Sequence, residues 1–337
     1  MKKNISAALA LCILTCAIVL FVTSCTQNTL YSEGEGELNV VCTVFAPFEF
    51  AREVGGNRIT ATILQDNGAD LHNYTPTTAT LEALANADVF IYVGGESDEK
   101  WVSDAISASG NSDLISICLM DHVDIIHAEL ENDWQEHDHE HDHEGHADHD
   151  HEHEGHTHAG DEHVWTSIKN VKNIVAAIEK AFCEKDISGA DVYKAGAEAY
   201  IKKLDDLDQK YADAVAGAKA SMVVFADRFP FVYLMHDYLI PYKAAFSGCS
   251  TEVNASFETQ ASLIKAVKSN GLSCVLTIEG NDKALAEAIS SETGSKILSL
   301  NSMQSVTRSD IEAGADYIEI MTRNLEVLKE ALGYGSN

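Results

Sequence analysis

Ten of the chain's 15 histidines fall between His137 and His158, where they alternate with Asp and Glu. Imidazole suits zinc, copper and nickel better than manganese, and the surrounding carboxylates add charge attraction for any divalent cation. From Glu131 to Glu162 the chain carries 13 acidic residues and no Lys or Arg. So few apolar residues cannot offset the entropy of ordering, so a mobile loop is expected there. Such a loop cannot present a fixed shell of donors. It can hold several metals loosely and raise the local metal concentration.

Two further histidines stand in ordered contexts. His72 lies in Asp70-Leu71-His72-Asn73-Tyr74-Thr75-Pro76, after a strand and the Gly68 turn and before a helix that starts at Thr77-Thr78. A strand-to-helix loop opens at the carboxyl edge of a parallel sheet, where open α/β folds bind ligands. His163 lies in Asp161-Glu162-His163-Val164-Trp165, where the His-rich segment ends and a helical pattern begins. Alone, His72 reads better as a hydrogen-bonded loop histidine than as a ligand, and the bare His163/Trp165 pair could be core packing. Two such positions beside a metal-attracting tract point to metal ligation. Imidazole binds metal only when neutral, so capture should weaken in acid.

The elements that must position these residues alternate along the chain. Leu38–Thr43 reads as a buried strand, followed by a helix through Val54 that ends at Gly55-Gly56. Strands are expected at Arg58–Leu64, Val89–Val93 and Leu114–Leu119, with helices at Thr77–Ala87 and Lys100–Ala108. After the acidic tract, helices are expected at Val171–Phe182 and Asp191–Lys219. The second is about eight turns and long for one lobe, so it reads as a bridge between two. A second α/β series follows, with strands at Val223–Phe225, Cys274–Ile278 and Lys296–Leu300 and helices at Phe257–Ser269, Lys283–Thr293 and Ile311–Leu332. The fold class is α/β, with two similar parallel-sheet lobes joined by a long rigid helix. The boundaries are residues 38–190 for the first lobe, with its acidic loop at 131–162, then 191–219 for the helix and 220–337 for the second lobe.

The amino terminus carries Lys2 and Lys3, an apolar run from Ala7 to Val22, and Thr23-Ser24-Cys25. The run is too short to span a bilayer and ends in small residues, so it reads as a secretory signal over residues 1–25. The pattern before Cys25 resembles a bacterial lipobox, which implies lipidation of Cys25 and attachment to the outer face of the cell membrane. Residues 26–37 are polar and read as a flexible tether. Of eight cysteines, five lie beyond the anchor, with no Cys-x-x-Cys pair. Neither a disulfide framework nor a cysteine metal site is expected. The net charge of −30 repels nucleic acid. There is no His-Glu-x-x-His or Gly-x-Ser-x-Gly motif, which argues against a secreted zinc hydrolase.

The segment GADLHNYTPTTATLEALANADVFIYVGG resembles the first metal-ligand segment of the solute-binding proteins of zinc and manganese ABC importers. DEHVWTSIKNVKNI resembles their second, the Asp-x-His-x-Trp segment. The His-rich insertion is similar to that of their zinc members, and the resemblance runs from about Leu38 to Leu332. It implies one metal between two lobes, with His72 and His163 as ligands from the first. The chain departs from the family in the second lobe. The family's His or Glu position in VVFADRFPFVYL is Ala226, which cannot coordinate, and its Asp position in ILSLNSMQS is Asn301. Asp227, Glu279 and His236 are the nearby candidates for the missing ligands. Asp227 could instead pair with Arg228, Glu279 could support a ligand, and His236 could be a surface residue.

The resulting expectation is a receptor, not an enzyme. It captures Zn2+, with Mn2+ less favoured, as a transported ligand. Its partners would be an ABC permease and that permease's cytoplasmic ATPase, and the protein itself would be monomeric and membrane-anchored. A metal-dependent adhesin, or a zinc buffer without transport, is the alternative.

Overall fold

The computed structural model describes residues 30–66, 68, 74–126, 160–248, 250 and 255–334. Strands β1 (Tyr31–Glu33), β2 (Leu38–Cys42), β3 (Ile59–Ile63), β4 (Val89–Tyr92) and β5 (Ile115–Cys118) form one sheet in the order β1-β3-β2-β4-β5. Only β1 runs antiparallel, pairing Tyr31 with Ile63 and Glu33 with Ala61. Strands β6 (Val223–Phe225), β7 (Tyr242–Ala244), β8 (Cys274–Ile278) and β9 (Lys296–Leu300) form a second, wholly parallel sheet in the order β7-β6-β8-β9. In each sheet the chain leaves a central strand, β2 or β6, for one neighbour and returns on the other side. That reversal opens a crevice at the carboxyl ends of the strands.

Helix α1 (Phe45–Gly55) follows β2 and is buried on almost every side, with Phe45, Phe48 and Phe50 at its core. Pro47 is tolerated because it falls in the first turn, where backbone N–H groups lack intrahelical partners. Helices α2 (Thr78–Ala85), α3 (Glu96–Glu99) and α4 (Val102–Ser109) complete the first lobe's crossovers. Thr77 and Thr80 form a capping box that starts α2. Helix α5 (Ile168–Lys185) starts on the Ser167 side chain, which accepts from the Asn170 N–H.

Helix α6 (Ala190–Ala216) has 27 residues and is about 40 Å long. Tyr193, Ala197, Tyr200, Leu204, Leu207, Tyr211 and Ala214 make one buried stripe along it at three- and four-residue spacing. The stripe meets α1 at its start. A Cβ on Gly196 would lie 2.4 Å from the Val54 carbonyl oxygen, so only glycine permits that approach. Near the other end, the Tyr211 hydroxyl donates to the Met321 carbonyl at 2.7 Å, in α11 (Tyr317–Ala331). The second lobe adds α7 (Val232–Asp237), α8 (Phe257–Ser269), α9 (Ala284–Thr293) and α10 (Arg308–Glu312).

Three expectations need correction. The polar segment after the signal is not wholly a tether, because Tyr31–Glu33 adds to the sheet edge and Arg52 anchors Glu33 at 2.6 Å. The single helix expected over Ile311–Leu332 is two, broken where Gly314 takes a φ of +90° and Asp316 caps α11 through the Glu319 N–H. The loop expected over 131–162 does not hold for its last residues, since Asp161 and Glu162 are buried, while residues 131–159 lie outside the described residues. Cys25, His72 and Cys249 lie outside the described residues. The four described cysteines, Cys42, Cys118, Cys183 and Cys274, are free thiols.

Glu49 is a buried carboxyl in α1. Its oxygens, with those of Glu53 and Asp316, gather within 4.8 Å of one another. Burial is the main cause that pushes Glu49 up to about 7; Arg52 opposes the rise, and Asp316 and Glu53 add to it. The folded state therefore prefers the protonated form. Glu49's contribution is complete below its ordinary value of 4.5 and is lost as pH climbs to about 7. That loss is on the order of 3 kcal/mol. Glu49→Gln stays neutral at every pH, so it should raise the melting temperature relative to the parent at pH 8 and not at pH 4. Thermal melts at both values check this, and an equal difference at the two pH values would refute it.

Candidate metal site

His163 sits between the two sheets and is 0% exposed. Its backbone N–H and its Nδ1 both face Asp161 Oδ1, at 2.9 and 2.8 Å. A carboxylate there accepts the Nδ1 proton, an assignment made from the hydrogen-bond pattern. The Nε2 lone pair then points away from Asp161, toward the Gln304 amide of the second lobe, and a carboxylate on Nδ1 is the arrangement that orients metal-binding imidazoles. The Trp165 ring packs edge-on against His163 at 5.4 Å between centroids.

Elements from both lobes hold this turn. The Tyr233 hydroxyl of α7 donates to the Asp161 carbonyl at 2.8 Å. Trp165 Nε1 donates to the Ser302 carbonyl at 2.9 Å, and the Tyr317 hydroxyl donates to the Trp165 carbonyl at 2.8 Å. Glu162 turns back into the first lobe, where it accepts from the Ser97 N–H at 2.9 Å and the Ser97 hydroxyl at 2.6 Å. Gly95 lies directly under it; a Cβ there would come 2.6 Å from Glu162 Cγ. Nearby Asp98 accepts from the Gly94 N–H at 2.9 Å. Burial pushes Asp98 up to about 6, and the Glu162 charge adds to the rise. A carboxyl pair at the carboxyl end of β4 thus forms the floor of the turn that carries His163.

The loop that bears His72 departs from Gly68. A Cβ on Gly68 would lie 3.0 Å from the Ser305 carbonyl oxygen, so the described end of this loop abuts the second lobe. Arg308 and Asp66 reinforce the contact at 2.9 Å. Tyr74, at the loop's other described end, packs at a tilt of 59° on Trp101, 4.9 Å between centroids, and its hydroxyl hydrogen-bonds the Thr80 hydroxyl at 2.6 Å.

Asp227 and Glu279 both stand at the carboxyl ends of β6 and β8, beside the reversal of the second sheet, but they do not join His163. Asp227 accepts from the N–H groups of Arg228 and Ile278 and from the Asn281 amide, at 2.8, 3.1 and 2.8 Å. Glu279 accepts from the Ser302 N–H, the Ser302 hydroxyl and the Ser305 hydroxyl at 2.8, 2.7 and 3.2 Å. Donors of their own lobe thus fix both carboxylates. Among the described residues, the one trio of His, Cys or carboxylate donors gathered within 4.8 Å is that around Glu49. His236 is exposed on α7. Ala226 is buried in the second lobe's core.

Two residues of this site have no role in the sequence analysis. Asp161 stands there in the Asp-x-His-x-Trp segment without an assigned partner, although two residues before His163 is a spacing that lets a short side chain reach the His163 N–H. Gln304 contacts His163 Nε2 from the second lobe. No sequence signal marks it, because a lone glutamine in a loop is ordinary.

Two α/β lobes on one long helix, closed over a buried histidine, define a bilobed binding protein of the α/β class. The chain belongs to the family described as "Zinc-uptake complex component A periplasmic", which matches residues 40–331. It is 31% identical over 333 residues to the zinc-binding lipoprotein AdcA of Streptococcus pneumoniae, covering 97% of this chain and 61% of that protein. The chain therefore spans about three-fifths of the length of that relative. It is 29% identical over 324 residues to the high-affinity zinc uptake system protein ZnuA of Bacillus subtilis, covering 94% of this chain and 95% of that one. The crystal structure of the Zn(II)-bound ZnuA-like domain of Streptococcus pneumoniae AdcA superposes with a TM-score of 0.68 at 27% identity, covering 88% of this chain and 99% of that one.

Proposed function

We propose that this protein captures zinc, or a similar divalent transition metal, outside the cytoplasm and delivers it to an ABC permease driven by a cytoplasmic ATPase. The observation that carries this reading is His163. It is a fully buried imidazole whose Nδ1 faces a carboxylate and whose Nε2 faces the opposite lobe. The names of the relatives, zinc-binding and zinc uptake proteins, support the same cargo. His72 and His163 serve as ligands from the first lobe, while Asp227 and Glu279 brace the second-lobe loops. The lipid on Cys25 holds a monomer at the membrane. Among the described residues no helix is long and apolar enough to cross a bilayer.

Calorimetric zinc titration of the protein, with and without residues 131–159, tests the reading. The deletion stops short of Gly160 because Asp161 orients His163 and its N–H donates to the Ile126 carbonyl at 3.0 Å. Loss of the tract should lower total zinc stoichiometry and leave the tightest site within about threefold of its original affinity, because a preorganised cleft avoids the ordering cost that loop sites bear. If the tight phase disappears with the tract while the fold persists, the tract is itself the principal site and the cleft reading fails.

A further inference from the structure

The second lobe must offer something to a metal held on His163 Nε2. Its carboxylates Asp227 and Glu279 are each engaged by three donors of their own lobe. Asn301 is engaged too; its Oδ1 accepts from the Met303 N–H at 2.8 Å, and Asn324 clamps its backbone N–H and carbonyl at 2.8 Å each. Gln304 differs. Its side-chain amide extends to His163 Nε2, the one ring atom that Asp161 leaves for a cation.

The loop is built to hold that side chain in place. Glu279 ties down Ser302 and Ser305 on either side of it, and Trp165 Nε1 holds the Ser302 carbonyl. Met303, just before Gln304, takes a φ of +65° although it is not glycine, and its side chain is buried. A non-glycine residue persists in that region only where its surroundings fix it, and such positions gather at ligand sites. Across the cleft, Gly248 lets a second-lobe loop press on the same imidazole. A Cβ there would lie 3.0 Å from both His163 Nδ1 and Cε1.

Resting on the proposal that the cleft takes zinc, we propose that Gln304 is, among the described residues of the second lobe, the one that completes the metal position on His163, through its carboxamide oxygen. Without metal, the amide N–H donates to Nε2 and latches the lobes. The terminal torsion of glutamine is broad, so a half-turn exchanges the amide nitrogen for the oxygen. The hydrogen bond to Nε2 is broken, Nε2 and the carboxamide oxygen each form one bond to the metal, and the metal releases two of its bound waters. A neutral oxygen is a weaker zinc donor than imidazole or carboxylate, so the residue sets an affinity low enough for onward transfer.

Zinc affinity by competition with a chromophoric chelator, and the visible spectrum of the cobalt(II)-loaded protein, test this on the intact chain. Gln304→Ala should weaken zinc binding roughly tenfold to a hundredfold. Gln304→His should tighten it about tenfold or more, and should change the cobalt(II) bands as nitrogen replaces oxygen. If the parent binds zinc tightly and both variants bind as it does with unchanged bands, Gln304 is not a ligand and the cleft reading stands. If Gln304→Ala binds zinc more tightly, the amide only competes for Nε2 and the inference is again overturned. A parent without tight zinc binding refutes the cleft reading itself. Should the alanine variant fold poorly, the histidine variant and its cobalt(II) spectrum still decide.

Discussion

Replacing His163 with alanine should weaken tight zinc binding by roughly a hundredfold or more, because one of about four ligands is lost. The loss goes beyond one donor atom. Asp161 would keep a buried carboxylate from which the imidazole has been removed, in the turn that Tyr233, Trp165 and Tyr317 hold between the lobes. If His72 is the first lobe's other ligand, as proposed, His72→Ala should act in the same direction. Asp161→Asn makes an informative companion. It preserves the size of the side chain but weakens its grip on Nδ1, so affinity should fall by a smaller factor, about ten to a hundredfold. Calorimetry gives the affinities and circular dichroism shows that each variant is folded. Unchanged titration curves for both His72→Ala and His163→Ala would remove these residues from the site.

Cys25→Ser should move the protein from the membrane fraction to the soluble extracytoplasmic fraction almost completely. A thioether-linked lipid and its companion chains supply stable attachment, and serine cannot carry them. Among the described residues no helix is long and apolar enough to cross a membrane. Fractionation followed by immunoblotting checks it. A secreted Cys25→Ser protein that stays with the membrane would show that something other than lipid holds it there.

Most of the architecture was legible because buried parallel strands read as continuous apolar runs. Val223–Phe225 and Cys274–Ile278 stand in the fold with the bounds their sequence suggests. The helical spacing over Asp191–Lys219 likewise announced a long helix, which the fold places at Ala190–Ala216. What escaped was short or decided by tertiary contact. Tyr31–Glu33 has three residues and becomes a strand only because β3 offers an open edge. The break at Gly314 interrupts an apolar periodicity that continues on both sides.

The site was legible through its histidines and not through its other members. A chemically strong donor stands out in sequence, whereas the function of an amide or a carboxylate depends on what lies opposite it. Asp227 and Glu279 looked available because their loops were right, yet neighbouring N–H and hydroxyl groups fix them. Gln304 looked inert until the fold set it against His163.

The edge strand β1 also fixes how far the receptor can stray. Tyr31 is paired to Ile63, so only six residue steps separate the folded body from Cys25. Fully extended, they reach about 20 Å. If Cys25 is acylated, that leash is shorter than α6 is long, and the body cannot swing freely above the bilayer. It would sample one surface with a restricted range of orientations, and encounter with a permease becomes a two-dimensional search by a molecule already near its docking height.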